Sequence, residues 1–256
     1  MGTINLFWSG PHKPNWGDEL NKKLVKIISG KDPVWTDHRS GVPYYMGIGS
    51  ILKKANPLST VWGSGFMWET DRILNFNKDI DIRAVRGPLS RKMLIGQGIK
   101  CPEVYGDPAL LYPRFYMPSV KKEYKWGIIP HYIDYDNEWV QGLRDNPDVN
   151  VIDILDPTID RFVEEVNKCE VILSSSLHGI ICGDSYGIPS YWIKLSDDVL
   201  GGGFKFRDYF ESVGRNDTDP IIIHKDTKIS DIKIKDWRYS INIDLDKLYD
   251  SCPFKK

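Results

Sequence analysis

Short apolar runs alternate with stretches of helical periodicity from one end of the chain to the other. Residues 3–8 (TINLFW) predict a strand. Leu20, Leu24, Ile27 and Ile28 share one helical face, and Gly30 stands where that helix should stop. Residues 44–48 and 60–62 predict buried strands running into glycines; 82–85 and 103–105 predict two more. Pro88 suits the first turn of a helix ending near Gly96, because an N–H there has no helical partner to lose. Residues 113–125, with two prolines and a basic run, read as a linker. A second series then predicts strands at 126–130, 149–154, 171–174, 190–194 and 221–224, and helices at 137–144, 158–168, 177–186 and 206–213. Such alternation argues for an α/β fold with parallel sheets covered by helices. The expected division is 1–115 and 125–225, with a cleft between the carboxyl ends of the two sets of strands. In the remainder, 226–256, Trp237, Ile241, Ile243 and Leu248 are too apolar for a disordered tail and should pack back on the body.

Composition narrows the function classes. The chain has 256 residues, 41% hydrophobic and 27% charged, and a net charge of −1, so nothing in the total favours nucleic acid. An anionic ligand would need a local cluster of positive groups. Four cysteines form no CxxC pair and no cluster with metal-ligand spacing; Cys169 and Cys182 read as buried thiols. No apolar run approaches the ~20 residues that span a bilayer, and no charged region precedes an apolar one at the N-terminus. A reduced, cytoplasmic protein is the expectation. The nine tryptophans suit either core packing or sugar rings.

Three segments could carry chemistry. In 171–189 (VILSSSLHGIICGDSYGIP) an apolar strand meets three serines, then His178 and an amphipathic helix. A helix start presents unpaired N–H groups and partial positive charge to an anion. Ser175, Ser176, Leu177 and Gly179 would frame that site, with Gly179 admitting a ligand close to the backbone. His178, beside the anion, could change protonation with occupancy and serve as acid or base, or simply be a structural histidine. In 8–20 (WSGPHKPNWGDEL) Asp18 either caps a helix or faces the cleft as a base. Asn15, Trp16 and Gly17 lie on the same rim. In 82–94 Arg86 stands before a helix start and suits a carboxylate or phosphate, although a salt bridge also explains it. Glycine turns at 47–50 and 63–66, including Ser64 and Gly65, add bare backbone at strand ends. His131 follows a strand and could face the cleft. Three glycines before Lys205 and Arg207 form either a loop that closes on an anion or a flexible connection.

NWGDEL at 15–20, RGPLS at 86–90, YGDPALL at 105–111, IIPHY at 128–132, SSSLHGIICGDSYGIPS at 174–190 and KFRDYF at 205–210 together resemble the polysaccharide pyruvyltransferase family. The resemblance implies two Rossmann-like halves in a glycosyltransferase-B-like arrangement with a central cleft. It implies phosphoenolpyruvate as co-substrate, no other cofactor and no metal, and a sugar hydroxyl pair as acceptor, free or lipid-linked. The product would be a pyruvate ketal in exopolysaccharide biosynthesis, made in the cytoplasm or at the inner face of the membrane. Family members often carry arginine before the leucine–histidine pair; here Ser176 holds that place, which shifts the donor's anions toward Arg86, the helix N–H groups, Lys205 and Arg207. His178 and Asp18 are then the expected acid and base. Two rivals stand beside this reading: a glycosyltransferase using a nucleotide-sugar, with Asp184 as the conceivable ribose contact, and a non-catalytic sugar- or anion-binding module.

Overall fold

The computed structural model describes residues 2–9, 15–74, 79–216, 219–234 and 239–255. Residues 10–14, in the loop expected between the first strand and the first helix, and Trp237 therefore lie outside the described residues. The chain forms two parallel five-stranded sheets. The first contains β1 (Thr3–Phe7), β2 (Asp32–Trp35), β3 (Tyr44–Met46), β4 (Ser59–Trp62) and β5 (Asp81–Ala84), in the order β2-β1-β3-β4-β5. The second contains β6 (Tyr124–Ile129), β7 (Val149–Val151), β8 (Cys169–Ser174), β9 (Ser190–Lys194) and β10 (Ile221–Ile222), in the order β10-β9-β8-β6-β7. Read within each half, the two orders are the same: the first strand lies between the second and the third. These are two Rossmann-like halves.

Seven α-helices complete the described chain: α1 (Trp16–Ser29), α2 (Pro88–Gly96), α3 (Glu138–Gly142), α4 (Ile159–Asn167), α5 (Leu177–Ser185), α6 (Phe204–Ser212) and α7 (Leu245–Asp250). Helix α1 ends on Gly30, whose φ of 67° is left-handed backbone that glycine adopts without strain. The seam between the halves is closed by side chains from both. Trp16 is fully buried, stacks on Phe162 of α4 at 5.4 Å and donates from Nε1 to the Ile159 carbonyl. It is core, not a sugar platform, which corrects its expected place on the cleft rim. Beyond β10 the chain returns to the first sheet: Trp62 Nε1 donates to the Leu248 carbonyl at 2.9 Å, and Phe254 meets Tyr45 and Trp62 edge to face.

Local departures from expectation have simple causes. The edge strand β2 (DPVW) has no periodic pattern and contains Pro33, which an edge tolerates because it pairs on one side only. The expected strand at 103–105 reduces to a single bridge between Tyr105 and Val85. Strands β7 and β10 are shorter than the apolar runs that announced them, because Ile152, Ile154 and Ile223 are buried beyond the ladder.

Candidate active site

In an open parallel sheet, loops leaving the carboxyl ends of adjacent strands diverge where the strand order reverses, and the gap between them takes a ligand. Here that gap lies between β1 and β3 in one half and between β6 and β8 in the other. The four segments that follow these strands supply Ser9, Asn15, Ser50, His131, Tyr132 and Ser176 to one cavity of about 160 Å³. Asp18, His178 and Lys205 complete its polar lining, with Ile51, Met67 and Leu177 as its apolar part. Both switch points thus open into the same small space.

Asn15 organises it. Its Oδ1 accepts from the backbone N–H groups of Gly17 and Asp18 at 3.0 and 3.2 Å, as a helix N-cap does. Those two donors fix the amide orientation. Nδ2 must then face Asp18 Oδ2, at 2.6 Å, and His178 Nδ1, 2.6 Å from Asn15 Oδ1, must carry a proton. The neutral imidazole is left with its lone pair on Nε2. A Cβ on Gly17 would overlap the His178 ring, so glycine is required there for α1 and α5 to approach.

Burial sets the charge states. It pushes the Asp18 carboxyl up to about 7, against the Asn15 hydrogen bond and the Lys205 charge, which lower it. It pushes His178 down to about 3, with the Lys205 and Arg86 charges acting in the same direction. His131 falls to about 4 by burial and by Lys205. Its Nδ1 accepts from the Ile133 N–H at 3.3 Å, so the neutral ring carries its proton on Nε2. Lys205 falls to about 8 by burial first and Arg86 second, while Asp18 pulls it back up. The residue is only 6% exposed, and its ammonium has no hydrogen bond or ion pair among the described residues; Nζ rests 5.5 Å from the Phe206 ring centre. The N–H groups of Leu177 and His178, in the first turn of α5, likewise have no acceptor among the described residues. A buried cation and a helix start pointing at one cavity have the electrostatics that suit an anion.

Arg86 is placed differently from expectation. It is fully buried and does not line the cavity. Nε donates to Asp208 Oδ2 at 3.0 Å, Nη2 to the Phe66 carbonyl at 2.6 Å, and Nη1 to Ser50 Oγ at 2.7 Å. Asp208 also accepts from the Ser90 N–H and hydroxyl. The guanidinium thus joins α6 to the first half and sets Ser50, which does face the cavity. Gly65 makes room for it, since a Cβ there would overlap the guanidinium. Ser64 ties the β4 loop to the Gly47 carbonyl and is also buried away from the ligand space.

Three donor-site expectations are corrected as well. Gly179 faces inward: its Cβ would stand 2.5 Å from Ser174 Oγ and 2.8 Å from Ile129, and its N–H bonds the Ser176 carbonyl. It lets α5 pack on the sheet and is not a ligand contact. Ser175 turns away from His178; its Oγ donates to Asp134 and accepts from the His131 N–H. Arg207 lies on the other side of α6 from Lys205, in a separate cavity, with Nη2 on the Gly202 carbonyl. Asp184, the conceivable ribose contact, is buried against Arg215, Tyr209 and Tyr239 and holds the core. Ser50 and Tyr132 also face the cavity: Ser50 closes the glycine turn at 47–50 after β3, expected there for its backbone only, and Tyr132 stands in the segment after β6, whose position beyond a switch-point strand was the available signal.

The sequence model of the family described as polysaccharide pyruvyl transferase matches residues 5–197. Among curated proteins, the chain is 29% identical over 217 residues to the succinoglycan biosynthesis protein ExoV of Rhizobium meliloti (strain 1021), covering 81% of this chain and 64% of that protein. It is also 29% identical over 213 residues to the uncharacterized protein L143 of Acanthamoeba polyphaga mimivirus, covering 78% of this chain and 71% of that one.

Proposed function

The chain belongs to the polysaccharide pyruvyl transferase family, and on that premise we propose that it transfers the pyruvate unit of phosphoenolpyruvate to two hydroxyls of a sugar, forming a ketal and releasing phosphate. The acceptor is a glycan precursor of an extracellular polysaccharide, in line with the succinoglycan role named for its R. meliloti relative. The observation that carries the donor is the small cavity in which Lys205 and the first turn of α5 face Asp18 and His178. At about 160 Å³ it suits a compact anion and is below the ~300 Å³ at which pockets for larger organic ligands begin.

The reaction needs a proton on the donor's methylene carbon, which leaves C2 electrophilic. One acceptor hydroxyl adds to C2 and gives up its proton; the bond from C2 to the phosphate oxygen breaks. The second hydroxyl closes the ketal, and its proton leaves with phosphate. In this scheme Lys205 and the N–H groups of Leu177 and His178 hold the donor's anionic groups. The empty site keeps His178 neutral; a bound polyanion favours its protonated form, which then supplies the methylene proton from Nε2. Asp18 takes the proton of the attacking hydroxyl. Asn15 couples the two, fixing both the tautomer and the carboxylate.

Phosphate release from phosphoenolpyruvate, assayed over a panel of sugar acceptors, tests the reading. Acceptor-dependent release that His178→Ala abolishes supports it. Binding and turnover of nucleotide-sugars, with no phosphate released from phosphoenolpyruvate, would replace it with the glycosyltransferase alternative.

A further inference from the structure

The donor cavity has no room for a sugar beside phosphoenolpyruvate, so the acceptor must be held elsewhere. A second cavity of about 430 Å³ opens at the carboxyl end of β9 and the start of α6. The two are neighbours through three consecutive residue pairs. Met67, Ser176 and Lys205 line the small one; Trp68, Ser175 and Phe206 line the large one. The two spaces therefore adjoin along these three segments, contributed by both halves of the molecule.

The larger space has the features of a carbohydrate site. Trp192, half-buried, offers an aromatic face to this space and is backed by the buried Phe206 ring, stacked on it at 4.3 Å and 8° from parallel. Trp68 reaches across from the first half and stays 37% exposed; its turn is held by Asp71, whose carboxylate accepts from the Met67 and Trp68 N–H groups at 3.0 Å. Gly203, at φ 81°, leaves space that a Cβ would deny to Trp192 and Arg207, each 2.6 Å from its position. Arg207 has one hydrogen bond, to the Gly202 carbonyl, and so retains donors for sugar oxygens. Flat apolar faces and a planar set of donors are what a pyranose ring presents partners for: C–H groups on its faces and hydroxyls at its edge.

We infer that this second cavity is the acceptor subsite: it takes a pyranose ring between Trp68 and Trp192, with the ring's diol directed into the adjoining donor cavity, toward Asp18. Arg207, expected from the sequence on the donor, belongs to the acceptor. The inference rests on the pyruvyl-transfer reading for the identity of the reaction, but the binding test stands apart from it.

Saturation-transfer NMR with methyl β-D-glucopyranoside and methyl β-D-galactopyranoside at millimolar concentration reads the subsite directly. The unaltered protein should transfer magnetisation to the ring protons of at least one glycoside. Trp68→Ala and Arg207→Ala should each reduce that transfer severalfold, while Lys205→Met leaves it unchanged. Calorimetric titration with phosphoenolpyruvate should give the reverse: binding retained in Trp68→Ala and weakened at least tenfold in Lys205→Met. Absence of transfer to both glycosides, or transfer insensitive to both cavity variants, overturns the subsite. Absence of phosphoenolpyruvate binding to the unaltered protein overturns the donor reading instead, and leaves the glycoside result to be judged by itself.

Discussion

Replacing Asp18 by asparagine should make the protein more stable above neutral pH and inactive. The side chain is 5% exposed, and burial raises its carboxyl from 3.8 to about 7. A carboxyl whose folded pKa lies above its unfolded one stabilises the fold fully below the unfolded value, and loses that contribution as pH rises through the folded value. Between 3.8 and about 7 the folded state holds one proton more than the unfolded, so stability falls by about 1.4 kcal/mol per pH unit. From pH 5 to pH 8 the parent should lose on the order of 3 kcal/mol that the variant keeps. Asparagine is isosteric and can still accept from Asn15 Nδ2, so no cavity opens and that donor keeps its partner. In thermal denaturation this is a gap of roughly 5 to 10 °C opening between pH 5 and pH 8. Phosphate release by the variant should fall ~10²–10⁴-fold, the usual contribution of a positioned base. A stability difference that does not change between pH 5 and 8 would refute the assigned burial and charge state. Parental turnover by the variant would refute its role.

Other expectations follow from the same geometry. His178→Ala should lose ~10²–10⁴ in turnover, the usual contribution of a positioned acid, with the parental circular-dichroism spectrum. Gly17→Ala should approach that loss, because a methyl there displaces the His178 ring; a crystal structure of the variant would show the ring moved. Arg86→Met should destabilise by about 3 to 5 kcal/mol in urea denaturation, because it strands the buried Asp208 carboxylate.

The sequence carried the frame of this molecule well. The alternation of apolar runs with helical spacing specified both sheets, since strands buried on both faces must be continuously apolar and the helices covering them must be amphipathic. Where that signal was interrupted, as by Pro33 in β2, the strand went unread. The site was legible as local motifs. NWGD gave a helix cap and a carboxylate; SLHG gave a helix start and an imidazole. What a motif could not convey was direction. Arg86 and Lys205 are both basic residues beside a helix start, and only packing decides that the first is fully occupied by Asp208 and Ser50 while the second is left bare in the cavity.

The chain by itself determined its class of fold, its family and the groups available for chemistry, because periodicity and motif are properties of near neighbours. Tertiary structure decided which of those groups meet. Asn15 and His178 are separated by 163 positions yet lie 2.6 Å apart. Arg86 and Asp208, 122 apart, neutralise each other out of reach of solvent. Glycines 17, 65 and 179, alike in sequence, clear space for an imidazole, a guanidinium and a sheet. Long-range contacts of this kind depend on how two sheets are set against each other, and no local pattern of residues encodes that.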